Sequence, residues 1–124
     1  MNCMIIDDDT LSRRIIEEFI QKTDGLDLIS SSGDPVEGIN LLKKNDDIHL
    51  IFLDIEMPEM NGIDAIHHIR ENTAASNTPI IAITALAMPG DREKCLAAGA
   101  NDYLVKPIKM TKLLCAIQFH LPSD

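Results

Sequence analysis

The stretch LIFLD at residues 50–54 places four apolar residues directly before a carboxylate. Three other short apolar runs have the same form: residues 3–6 precede three aspartates, residues 80–83 precede Thr84, and residues 103–105 precede Lys106. Such runs, bounded by turn residues, are typical of buried strands in a parallel sheet, which are apolar on both faces. Sites in open parallel sheets form beyond the carboxyl ends of the strands, so we predict that these polar groups meet at one edge.

Segments with helical periodicity separate the apolar runs, and a weaker, more polar strand is predicted over residues 26–30. Strand and helix alternate five times with short connections. This order predicts an α/β fold with a doubly wound, five-stranded parallel sheet of order 2-1-3-4-5, as in flavodoxin-like (βα)5 domains. Its switch point lies between the first and third strands, which end in Asp7, Asp8 and Asp54.

Apolar spacing also predicts which side of each helix faces the core. The fourth helix is predicted over residues 89–98, with Gly99 as its left-handed cap, and Asp9 or Thr10 is the predicted N-cap of the first. The predicted inward residues are Leu11, Ile15, Ile16, Phe19 and Ile20 in the first helix, Val36, Ile39 and Leu42 in the second, Ile63, Ile66 and Ile69 in the third, and Met110, Leu113, Leu114, Ile117 and Leu121 in the last.

The composition limits the classes of protein to consider. The chain has 124 residues, 45% of them hydrophobic, which predicts one domain spanning residues 1–124. Its formal net charge of −9 disfavours direct contact with nucleic acid or an anionic membrane. No apolar stretch approaches the roughly 20 residues of a membrane span. The three scattered cysteines are predicted to be buried thiols, and the predicted location is the cytoplasm.

The residues at the predicted edge suit a divalent cation and a phosphoryl group. Clustered carboxylates repel one another unless a cation lies between them, and oxygen-only ligands favour Mg²⁺ or Mn²⁺ over zinc. Opposite Asp7 and Asp8, Asp54 is the candidate carboxylate nucleophile. Thr84 would donate its hydroxyl to a phosphoryl oxygen, and Lys106 would pair with the same anion, or with Asp54 in its absence. The bond before Pro107 is a candidate cis peptide.

Four segments of the chain resemble the receiver domain of two-component response regulators. They are IIDDD at residues 5–9, LDIEMPEMNG at 53–62, ITA at 83–85 and YLVKP at 103–107. This resemblance implies Mg²⁺-dependent transfer of a phosphoryl group to Asp54 from a histidine kinase or a histidine phosphotransfer protein. By matching position, Asp8 and Asp54 would bind Mg²⁺ by side chain, Glu56 by its backbone carbonyl, and Asp7 through water. Thr84 and Tyr103 match the pair of residues that changes conformation when a receiver domain is phosphorylated.

The resemblance also bears on the output of the domain, that is, on the surface and the partner through which it passes on its signal. The first half of the chain is similar to receivers of LytTR-type regulators, whereas residues 84–95 are more similar to receivers of hybrid sensor kinases. The implied output surface comprises the fourth helix, fifth strand and fifth helix, including residues 86–89, Tyr103 and Met110. It would contact a downstream protein or form a homodimer. Such a domain is a phosphoacceptor that catalyses only its own phosphotransfer and autodephosphorylation, and is otherwise not an enzyme.

An alternative is a Mg²⁺-dependent phosphohydrolase that forms an aspartyl-phosphate on a related α/β fold. That chemistry usually needs a second acid to activate the leaving group or water, and only Asp7 or Glu56 could serve here. A flavin-binding module is disfavoured, because residues 7–9 would repel the flavin phosphate. Turnover of a phosphomonoester, as opposed to stoichiometric labelling, distinguishes the phosphohydrolase from the receiver.

Overall fold

The computed structural model describes residues 1–45, 47–57, 60–72, 75, 77–85 and 88–120. Pro58, Glu59, Leu86 and Leu121, which entered the sequence predictions, lie outside these ranges. Within them, five strands form one parallel sheet: β1 (Asn2–Ile6), β2 (Asp27–Ser32), β3 (Leu50–Asp54), β4 (Ile80–Thr84) and β5 (Asp102–Val105). The strand order is β2-β1-β3-β4-β5, which confirms the predicted doubly wound topology.

Helices alternate with the strands and cover both faces of the sheet. They are α1 (Thr10–Lys22), α2 (Pro35–Lys44), α3 (Gly62–Asn72), α4 (Asp91–Ala98) and α5 (Met110–His120). On one face, α2, α3 and α4 pack against alternate residues of the central strands. On the other, α1 and α5 pack against the remaining ones. Both faces are therefore buried, which explains why β3 and β4 contain no exposed residue. No described helix is long and apolar enough to cross a membrane.

Several predicted details of the helices were wrong. Leu11 is 67% exposed and Val36 is 48% exposed, whereas both were expected to face the core. Each lies in the first turn of its helix, where the described elements leave it uncovered. In the last helix Leu113 and Ile117 are buried, but Met110 and Leu114 are exposed.

The other differences are small shifts in the bounds of two elements and one cysteine whose predicted burial was wrong. β2 extends to Ser32, and α4 begins at Asp91, because Gly90 precedes it in the left-handed region with φ of 87°. Cys3 and Cys95 are buried free thiols as predicted, but Cys115 is exposed on α5. The predicted cap at Gly99 and the cis peptide between Lys106 and Pro107 are confirmed.

Gly62, where the β3–α3 connection enters the helix, leaves no room for a side chain. Its backbone N–H donates to the Ile55 carbonyl, and an added Cβ would lie 2.2 Å from the Ile55 Cα. Backbone atoms cannot yield as a flexible side chain can, so the first turn of α3 would move away from the end of β3. Gly62 thus holds the segment after Asp54 against the start of α3.

We expect Gly62→Ala to lower the free energy of unfolding by about 1–3 kcal/mol, through overpacking against Ile55. Urea denaturation measures this change. Gly33→Ala is the matched control, because an added Cβ there would meet the movable end of the Arg13 side chain at 2.7 Å. A loss as large in Gly33→Ala as in Gly62→Ala would contradict the explanation.

Candidate functional site

Three carboxylates converge at the carboxyl edge of the two central strands. Asp7 directly follows β1, Asp54 is the last residue of β3, and both are buried, whereas Asp8 is exposed. One oxygen from each lies within 4.8 Å of the others. Because β1 and β3 are adjacent and parallel, their register alone brings these residues together. The predicted convergence at the switch point is therefore present.

Asp9, the third aspartate after β1, has a separate, local role. Its side chain caps α1, accepting hydrogen bonds from the Leu11 N–H at 3.1 Å and the Ser12 hydroxyl at 2.9 Å. Its own N–H donates to Asp7 Oδ1 at 2.9 Å, which orients that carboxylate. The first of the two predicted caps, Asp9, is the correct one. This capping turns Asp7 and Asp8 toward the site.

Lys106 supplies the positive charge of the site. Its Nζ lies 3.2 Å from Asp7 Oδ2, 3.6 Å from Asp54 Oδ2 and 3.7 Å from Asp9 Oδ2. The predicted pairing with Asp54 is present, but Asp7 is the nearer partner. Burial alone would lower the pKa of Lys106, yet attraction by Asp7 and Asp54 is stronger, and the pKa is raised. The lysine therefore remains charged at neutral pH.

One ammonium does not neutralise this cluster of carboxylates. Burial raises the pKa of Asp54, and neighbouring Asp7 adds to the rise, against the Glu56 N–H, which lowers it. Desolvation, and then the adjacent Asp54, raise the pKa of Asp8. Asp7 Oδ2 is buried and, beyond its ion pair with Lys106, accepts no hydrogen bond from the described residues. An oxygen-only donor set with excess negative charge fits a hard divalent cation such as Mg²⁺.

Thr84 ends β4 beside the carboxylates and is completely buried. Its carbonyl accepts the Lys106 N–H at 2.7 Å, which holds the lysine's backbone beside β4. Its hydroxyl donates to a carboxylate oxygen of Glu56, a contact that the sequence analysis did not predict. The Glu56 N–H in turn donates to Asp54 Oδ1 at 3.0 Å. Glu56 therefore contacts both Asp54 and Thr84.

Tyr103 lies on β5, next to Ala82 of β4, and packs against the core on the α2–α4 side. Its hydroxyl is buried and has no hydrogen-bond partner among the described residues. Burial, and then the negative charge of Asp91, raise the pKa of Tyr103. The ring is thus partly buried against this side of the core.

Arg13 is a site neighbour that the sequence analysis missed. Its Nη1 donates to the Asp7 carbonyl at 2.7 Å and thereby supports the turn that carries Asp7 and Asp8. No local spacing signals this contact, because it depends on the angle at which α1 packs. Gly33 lies beside the guanidinium, and a glycine at this position is a sign that another group can approach the backbone there.

Comparison with known proteins agrees with this geometry. The family model described as response regulator receiver domain matches residues 3–118, and the chain belongs to that family. The protein PilG of Pseudomonas aeruginosa is 34% identical over 125 residues, which cover 99% of this chain and 89% of PilG. The chain is thus a receiver domain of two-component signalling.

Two solved structures resemble the chain closely. One is the complex of CheX and CheY with BeF3 and magnesium from Borrelia burgdorferi, with a TM-score of 0.88 and 27% identity over 98% of this chain and 90% of that chain. The other is the receiver domain of a sensor histidine kinase from Pseudomonas aeruginosa, with a magnesium ion coordinated in its active-site cleft. It has a TM-score of 0.83 and 30% identity over 96% of this chain and 95% of that chain.

Proposed function

We propose that Asp54 is the phosphoacceptor of this receiver domain. The observation that carries the proposal is the position of its carboxylate, which lies beside both a lysine ammonium and two further carboxylates at the edge of the sheet. An Asp54 oxygen attacks the phosphorus atom of a phosphohistidine. The bond from phosphorus to the histidine nitrogen breaks, that nitrogen keeps the electron pair, and an acyl phosphate forms on Asp54.

Lys106 and Thr84 serve the same phosphoryl group. The Lys106 ammonium, already 3.6 Å from Asp54 Oδ2, pairs with a phosphoryl oxygen and offsets the added charge of about −1.5 to −2. Thr84 donates its hydroxyl to another oxygen. Movement of Thr84 then changes the packing around Tyr103, and the output surface formed by α4, β5 and α5 responds. The exposed Met88 and Met110 on that surface suit a partner that must be released again.

Magnesium is the cofactor that this donor set favours. We assign Asp8 and Asp54 as side-chain ligands, the backbone carbonyl of Glu56 as a third ligand, and Asp7 as a ligand through water. When bound, the cation supplies positive charge that offsets the charge on the transferred phosphoryl group. The magnesium ion reported in the cleft of the sensor-kinase receiver supports this assignment.

The remaining predictions about the chain stay predictions. The donor is a histidine kinase or a histidine phosphotransfer protein, and the output partner is a downstream protein or a second copy of the chain. Residues 1–124 act as one domain in the cytoplasm. The domain catalyses only its own phosphorylation and dephosphorylation, so its product is the modified domain itself.

Incubation with a small phosphodonor and Mg²⁺ tests the proposal. We expect one phosphoryl group per chain, stable in acid and labile in base as an acyl phosphate is, with negligible turnover of a phosphomonoester. Intact-mass measurement gives the stoichiometry. Repeated turnover of the phosphomonoester would favour the phosphohydrolase alternative, and the absence of any label would refute the phosphoacceptor assignment.

The metal assignment predicts a stability change. Mg²⁺ in millimolar excess should raise the melting temperature of the wild type, because it binds only the folded state. Asp8→Asn should abolish most of that rise. Without the metal, Asp8→Asn should be at least as stable as the wild type. Folding raises the pKa of the Asp8 carboxyl, so its ionised form destabilises the fold at neutral pH. Calorimetry with and without Mg²⁺ measures both effects. Equal responses of wild type and Asp8→Asn to the metal would contradict the assignment.

A further inference from the structure

The hydroxyl that the proposed function assigns to the phosphoryl group is already engaged. Thr84 donates its single hydroxyl hydrogen to the Glu56 carboxylate. In this contact the hydroxyl is the donor and the carboxylate oxygen is the acceptor. Thr84 is wholly buried. For its hydroxyl to reach a phosphoryl oxygen on Asp54, the bond to Glu56 must break.

The position of Glu56 is set by the same loop that holds Asp54. Its N–H is bound to Asp54 Oδ1 at 3.0 Å, and its backbone forms an antiparallel bridge with Asn61. The close approach of Gly62 to Ile55 fixes this loop against α3. With the loop held by these contacts, Glu56 keeps its side chain within reach of β4. The contact with Thr84 is therefore built into the loop.

We propose that the Glu56 carboxylate competes with the phosphoryl group for the Thr84 hydroxyl and holds Thr84 in its resting position until a phosphoryl oxygen displaces it. This inference rests on the proposed function, because it concerns the same acceptor site. Glu56 then has two separate parts in the chemistry. Its backbone N–H binds Asp54 and its backbone carbonyl would hold the cation, whereas its side chain opposes activation as a positioning group for Thr84.

The surroundings of Glu56 allow its carboxylate to leave. The residue is exposed to solvent and lines a cleft of about 550 Å³ between the β3–α3 loop and α4. Lys94 and Asp91 also line this cleft. Once displaced, the carboxylate can be hydrated there, with the Lys94 ammonium in the same cleft. Repulsion from the phosphoryl charge favours the same movement.

A double-mutant cycle on binding of beryllofluoride, a phosphoryl mimic, tests the competition in the presence of Mg²⁺. The four proteins are the wild type, Glu56→Ala, Thr84→Val and the double variant, and NMR titration gives each affinity. We expect Glu56→Ala to bind beryllofluoride about tenfold more tightly, as the loss of one charge-assisted hydrogen bond requires. That gain should largely disappear in the Thr84→Val background, where there is no hydroxyl to release.

Glu56→Asp separates the hydrogen bond from the charge. It keeps the carboxylate but shortens the side chain by one methylene, so it should lose the contact with Thr84 and bind beryllofluoride nearly as tightly as Glu56→Ala. In the protein without Mg²⁺ or beryllofluoride, the methyl resonance of Thr84 should also move in Glu56→Asp. An affinity and a Thr84 resonance equal to those of the wild type would overturn the inference.

The cycle distinguishes the failure of this inference from the failure of the proposed function. An equal gain from Glu56→Ala in the wild-type and Thr84→Val backgrounds would mean that Glu56 acts through its charge alone, which overturns the competition. Binding that is indifferent to Glu56 would do the same, and in both cases the acceptor site stands. Failure of every variant, wild type included, to bind beryllofluoride would instead refute the acceptor assignment.

Discussion

The Asp54→Ala protein is expected to take up no phosphoryl group from a small phosphodonor, while the wild type takes up one. The reason is chemical: Asp54 supplies the oxygen that forms the new bond to phosphorus, and alanine has none. The loss should be complete, unlike that of a residue that only assists. Intact-mass spectrometry of both proteins after the same incubation measures it.

Asp64→Ala is the matched control for this experiment. Asp64 is likewise an aspartate, but it lies in the first turn of α3 and does not belong to the cluster of carboxylates. It should label as the wild type does. Label that persists on Asp54→Ala, or that is found on His67 or His68, would show that the nucleophile has been misassigned.

Thr84→Val should separate phosphorylation from its consequence. Valine has the shape of threonine without the hydroxyl, so the buried site should keep its packing and Asp54 should still accept the phosphoryl group. The hydroxyl that links the phosphoryl group to β4 is absent, however, and most of the response on the output surface should be lost. The exposed methyl groups of Met88 and Met110 are natural NMR probes of that surface.

The control for this variant is Thr23→Val, which removes a hydroxyl bound to the Phe19 carbonyl at the end of α1. Its methionine signals should shift on phosphorylation as those of the wild type do. If the Met88 and Met110 signals also shifted fully in Thr84→Val, the threonine would not transmit the change, and another route to α4 and α5 would be required.

The sheet and the location of the site were predictable because both depend on short-range pattern. A buried parallel strand must be apolar on both faces, so runs such as residues 50–53 and 80–83 stand out from the rest of the chain. The topology then places the residue after each run at a common edge. Asp7, Asp54 and Thr84 come together for this reason, without information about any side-chain conformation.

The contacts between side chains were not predictable in the same way. Which hydroxyl meets which carboxylate depends on rotamers and on how the β3–α3 loop folds, so the bond between Thr84 and Glu56 left no sign in the spacing. Arg70 is a second case. Its guanidinium donates to the carbonyls of Ala75 and Thr78, five and eight residues further along the chain, and to that of Gly99, 29 residues further along. Periodicity likewise placed Leu11 and Val36 on the inward side of their helices, but it could not show that the first turn of each helix is left uncovered.

The amide chemical-shift map of the wild type, recorded with Mg²⁺ alone and again after addition of beryllofluoride, tests most directly whether this domain is a switch. Modification at Asp54 should change signals beyond the acceptor loop, through Thr84 to Tyr103, residues 88–94 and the start of α5 at Met110. Changes confined to residues 54–57, with β5, α4 and α5 unaltered, would contradict the switch and leave a domain that only passes phosphoryl groups on.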